Sequence, residues 1–163
     1  MEATGKNQYI TFGDNKDVIK YIINYYEKWK NQPQDIVGEL RNIPIRDVCY
    51  SIFCYIIENV EYKEDINGYQ FIKSPARLLK DGVGDCKSMT LFIASCLHCL
   101  GIKHTIRFVN FDGGEQFTHV YPIAYDEQGN AIIIDCVERD AQGEPIFDYA
   151  RNYYKKYDIN YFI

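Results

Sequence analysis

The run G-V-G-D-C-K-S-M-T-L-F-I-A-S-C-L-H-C, residues 82–99, constrains this chain more than any other stretch. Its apolar residues Met89, Phe92, Ile93, Cys96, Leu97 and Leu100 recur at helical spacing, and Gly101 follows as a natural stop. A Gly-rich turn delivers Asp85 and Cys86 to the start of this buried helix. Unpaired N–H groups and the helix dipole favour negative charge there, and a thiol attacks as its thiolate. Cys86 is therefore a candidate nucleophile, with a small buried residue at a tight turn as the alternative at this point.

The segments before this helix also read as helical. Residues 1–15 look like a loose arm leading to a cap, and in 16–30 the residues Val18, Ile19, Ile22, Ile23, Tyr26 and Trp29 trace one stripe. One or two helical turns are expected in 35–41. A second helix over 44–60 starts at Pro44 and carries Val48, Cys49, Ile52, Phe53, Ile56 and Val60. Asn67-Gly68 marks a turn, 69–72 is extended, and Ser74-Pro75 caps a brief helix ending near Gly82.

After Gly101 the apolar period drops toward two, which predicts strands over 102–110, 117–125 and 131–136. The expected class is α+β: N-terminal helices packed on an antiparallel β-meander, in one domain spanning 1–163. The remainder, 138–163, is a tail rich in aromatics at helical spacing (Tyr149, Tyr153, Tyr154, Tyr157, Tyr161), expected to pack back on the domain, self-associate or dock on a partner such as a virion.

Composition excludes several classes of function. A net charge of −5 offers no basic stripe for phosphates, so nucleic acid is not an expected partner. No run reaches the length of a membrane span and the first residues lack a signal-peptide pattern, so the expectation is a protein free of membrane in the cytoplasm of a bacterial or phage-infected cell. The six cysteines lack the spacing of a disulfide scaffold and are read as reduced.

A nucleophilic thiol needs a base, and the base needs an orienting group. There are three histidines. His98 lies more than three turns along the Cys86 helix, and His104 lies at the strand end fed by that helix's C-terminus. His119, in the second strand, remains. If 126–128 form the loop to the next strand, His119 stands directly opposite Asp135, and an acid in the run Ile132-Ile133-Ile134-Asp135 needs such a partner. For the oxyanion, the backbone N–H of Cys86 and the side chain of Gln70 are the candidate donors. Cys96-Leu97-His98-Cys99 has ligand types of a zinc half-site but sits inside an apolar helix without a second pair, so neither a metal nor another cofactor is expected. The same depth argues against a redox role for Cys96 and Cys99.

The motifs around Cys86, F-T-H-V-Y around His119 and I-I-I-D-C around Asp135, in that order across 66–137, resemble the transglutaminase-like superfamily. The run S-P-A-R-L-L-K-D-G-V-G-D-C looks like that of small intracellular members from bacteria and phages, which commonly carry acidic residues after G-D-C where this chain has Lys87 and Ser88. The resemblance implies a papain-like core and thiol acyl transfer on a peptide or carboxamide carbonyl of a protein or peptide substrate. Cys86 would be the nucleophile, His119 the proton carrier and Asp135 its orienting acid, with water or an amine as acceptor. The alternative is a non-catalytic structural or binding protein, for example a phage virion component, on the same fold.

Overall fold

The computed structural model describes the backbone of residues 8–11, 15–64 and 69–162, and side chains over 18–64 and 72–162. In chain order the elements are β1 (Gln8–Thr11), α1 (Asn15–Trp29), α2 (Ile45–Asn59), β2 (Glu61–Tyr62), β3 (Tyr69–Ile72), α3 (Pro75–Asp81), β4 (Val83–Gly84), α4 (Cys86–Cys99), β5 (His104–Asn110), β6 (His119–Tyr125), β7 (Ala131–Ile133) and β8 (Lys155–Tyr161). The turns expected in 35–41 are two 3-10 turns, Gln32–Asp35 and Gly38–Leu40. Of the loose arm expected over 1–15, residues 8–11 form β1 against β3, and 1–7 and 12–14 lie outside the described residues.

Local chemistry sets the helix boundaries. Ser74 Oγ accepts the Arg77 N–H, Pro75 opens α3, and Gly82 closes it at φ 67°, a left-handed conformation that glycine adopts without steric cost. α4 is buried continuously from Lys87 to Leu97, with its large apolar residues spread around the axis, so it belongs in the interior. Leu91, Ala94 and Leu97 are fully buried, between α1 on one side and the α2–α3 layer on the other.

The main sheet has the order β7-β6-β5-β8, all antiparallel. The expected meander is β5-β6-β7. The aromatic tail is not helical: β8 pairs along the whole of β5, from His104↔Tyr161 to Asn110↔Lys155. Tyr154, Tyr157 and Tyr161 fit a helical stripe, yet Tyr157, Ile159 and Tyr161 also alternate at the strand period. Pairing with β5 decides between the two. Arg107 clamps Asp158 through two hydrogen bonds of 2.8 and 2.9 Å, and Tyr161 packs 4.3 Å from Tyr26, ring centre to ring centre. The tail therefore completes the sheet.

His104 belongs to this packing. It is fully buried, its Nδ1 donates to the Ile102 carbonyl at 2.7 Å, and its Nε2 accepts from the Tyr26 hydroxyl at 2.9 Å. Burial lowers its pKa to about 4.

Two predictions follow from this core. Below pH ~6.5 an unfolded chain protonates His104 while the folded one resists until about 4, so stability falls across that window. Urea titrations should show wild type losing ~3 kcal/mol more than His104→Gln between pH 7 and pH 4. In Gly84→Ala the new Cβ would lie 2.5 Å from Leu78 Cδ1, in a side chain that is wholly buried. That overpacking should lower stability by about 1–3 kcal/mol, read as a lower denaturant midpoint at unchanged slope.

Candidate active site

The site begins where α4 begins. Asp85 Oδ1 accepts the backbone N–H groups of Lys87 at 3.0 Å and Ser88 at 3.3 Å, which makes it the N-cap, and its Oδ2 is ion-paired to Lys87 Nζ. The acid adjoining the thiol is thus turned onto its own helix start, and Cys86 is half-buried beside it. Two side chains anchor this end of the helix. Ser88 Oγ accepts the Lys73 N–H at 3.0 Å, and Thr90 Oγ1 donates to the Val120 carbonyl at 3.2 Å. The second bond lands one residue past His119 and ties the start of α4 to the start of β6.

His119 Nε2 hydrogen-bonds Asp135 Oδ2 at 2.7 Å, with both side chains buried. Asp135 Oδ1 accepts the Val137 N–H at 3.1 Å, which fixes the carboxylate. Because Nε2 is engaged by Asp135, Nδ1 is the ring nitrogen left to face Cys86, which lies close enough for its charge to act on the ring. Burial opposes a charge on the imidazole. The hydrogen bond to Asp135 and the negative charge of Cys86 and Asp135 outweigh it, raising the His119 pKa to about 10. The structure therefore brings Cys86, His119 and Asp135 together.

The route to that pairing differs from the expected register. Ile123 faces Ile133, whereas a loop of 126–128 would place it against Ala131. The turn spans 126–130, closed by Asp126 N–H to the Asn130 carbonyl at 2.9 Å. β7 also ends at Ile133, short of the expected 136. The slip is two residues, and an even slip keeps every side chain on its face. Asp135, past the end of the strand, still reaches His119.

Three neighbours were not visible in the sequence. The Phe111 ring stacks on His119 with centroids 5.5 Å apart, and the Arg151 guanidinium sits 4.4 Å over Phe111. The usable signal for Phe111 is register: Val109 pairs with His119, and Phe111 lies two residues further along the same chain. Tyr62 is brought alongside by the parallel pairing of β2 with β4, Tyr62↔Gly84. Burial raises the Tyr62 phenol, and the negative charges of Cys86, Glu64 and Asp85 raise it further. Gln70 lies on β3 opposite Ile10, and its side chain is outside the described residues.

The other cysteines have different surroundings. Burial pushes the Cys49 thiol up to about 12 and also raises those of Cys96 and Cys136. Cys99 Sγ donates to the Lys30 carbonyl at 3.2 Å, while the His98 ring meets Tyr26 edge-on. Cys96, His98 and Cys99 thus serve packing. All six thiols are free. Among the described residues, His119, Asp135 and Glu138 hold their donor atoms within 4.8 Å of one another. His119 Nε2 and Asp135 Oδ2 are bonded to each other there, so the cluster reads as a His–Asp pair with an acid at its edge. A cavity of about 10 Å³ touches Cys86, Thr90, Val120 and Asp135, room for one water. A larger one, about 480 Å³ between α1 and Phe117–Tyr157, is lined by none of these residues.

No family model and no curated protein matches the sequence. Solved structures do. Calcium-bound LapG of Legionella pneumophila matches with a TM-score of 0.53 over 74% of this chain and 73% of its own, at 18% identity. The EGTA-treated form gives 0.53 over 79% and 74%, at 19% identity. A Parabacteroides distasonis chain described as a candidate protease gives 0.53 over 77% of this chain and 32% of its own, at 11% identity. Identities this low establish likeness of fold. The chain has the transglutaminase-like, papain-like α+β fold.

Proposed function

We propose that this chain is a thiol acyl-transfer enzyme of the cysteine-peptidase kind, acting on a peptide or carboxamide carbonyl of a protein or peptide. The observation that carries the reading is the buried His119–Asp135 pair, bonded at 2.7 Å, beside the small cavity that Cys86 and Asp135 both line at the start of α4. The LapG likeness supports it at the level of fold.

In this reading the Cys86 proton resides on His119 Nδ1 and the thiolate attacks the carbonyl carbon. The tetrahedral oxyanion faces the backbone N–H of Cys86 at the positive end of α4, with Gln70 the candidate for a second donor. Collapse breaks the C–N bond, and His119 passes its proton to the departing amine, leaving a thioester on Cys86. Water then attacks, giving a proton to His119 and releasing the acid. Asp135 holds the ring in one tautomer and balances its charge throughout.

Alkylation by iodoacetamide across pH, followed for each cysteine by mass spectrometry, tests the site without a known substrate. Cys86 should react fastest of the six, already below the ~8.5 of an ordinary thiol. His119→Ala should remove that advantage, and Asp135→Asn most of it, since the ring then loses its orienting charge. A Cys86 that reacts no faster than the others, or ignores His119→Ala, would sink the reading.

A further inference from the structure

We infer that Lys87 is a positioning residue of this site: its ammonium neutralises the Asp85 carboxylate beside the nucleophile, so that the cap of α4 does not oppose a thiolate at Cys86. This rests on the catalytic reading of Cys86.

A carboxylate next to a half-buried thiol disfavours its ionisation. Asp85 is such a group, 5% exposed and joined to Cys86 by one peptide bond. Capping alone does not call for a charge, since Ser, Thr or Asn caps as well. Nor does a buried ion pair add dependable stability over uncharged side chains. The pair instead balances the local charge. Among the described residues, the titratable and charged groups around Cys86 include Asp85 and Lys87 at its own helix start, His119 from β6, Asp135 and Glu138 beyond β7, and Tyr62 and Glu64 at and just after β2. Lys87 offsets Asp85 and His119 offsets Asp135, and the positive end of α4 acts on the sulfur.

The placement of Lys87 is informative in itself. Lysine is almost never buried unless paired, and Lys87 is 7% exposed in a helix otherwise lined by apolar and small residues. Asp85, two residues back, is the N-cap, and its extended backbone lets its carboxylate turn over the helix start to meet the ammonium. The side chain folds back across the cap to reach Asp85, away from solvent.

The test is the pH profile of Cys86 alkylation in wild type, Lys87→Met, Lys87→Arg and the double variant Asp85→Asn/Lys87→Met, with folding checked by circular dichroism. Lys87→Met should move the profile up by about one pH unit, so that Cys86 reacts ~10-fold more slowly near pH 6. Lys87→Arg should stay close to wild type, and the double variant, lacking both charges, should return toward it. A Lys87→Met profile that coincides with wild type overturns the proposal, as does a double variant displaced as far as the single one. If Lys87→Met does not fold, the double variant decides alone: a profile at the wild-type position supports the proposal, and an upward displacement overturns it. A wild-type Cys86 without enhanced reactivity would overturn the catalytic reading as well, whereas a reactive wild type with unmoved variants removes only the role of Lys87.

Discussion

A helix buried on every side can meet solvent only at its ends, and that constraint organises this protein. α4 runs through the interior with Leu91, Ala94 and Leu97 fully enclosed. Chemistry along its flanks is closed off, and its C-terminal cysteines are packing residues whose thiols burial has pushed up. The N-terminus is different. The helix dipole and a capping acid converge there, and Cys86 is the first helical residue.

Everything around that end fixes its position. Ser88 ties it to the segment before α3, and Thr90 ties it to β6 beside His119. β2 and β4 pair next to it and bring Tyr62 alongside. The Ser88 and Thr90 hydroxyls are buried, so either one left unpaired would be a desolvated group. The arrangement holds the thiol and the imidazole in place without a ligand.

The electrostatics have the same economy. The carboxylates of Asp135 and Asp85 are buried in pairs with His119 and Lys87. Breaking a buried pair from one side leaves an uncompensated charge, which is costly, so each pair is all or none. Phe111 and the Arg151 guanidinium cover one face of the His119 ring, adding a wall of aromatic and cationic groups at the site's edge.

The sequence by itself determined the elements whose signals are local. Periodicity identified α1, α2, α4 and the β5–β7 meander, while Ser74, Pro75, Gly82 and Asp85 marked helix ends, because a cap or stop acts within one turn. It also singled out Cys86, His119 and Asp135, since reduced cysteines, few histidines and an acid in an apolar strand leave few combinations. Tertiary structure decided the rest. The tail became β8 because its aromatics satisfy both periods and only the open edge of β5 chooses between them. The two-residue slip between β6 and β7 came from the length of a turn, yet parity kept Asp135 on the face of His119. Lys87, Tyr62 and Phe111 reached the site through contacts between elements distant in the chain or through a side chain folded back on its own cap. Spacing along a sequence does not encode such contacts, because they depend on where other elements come to rest.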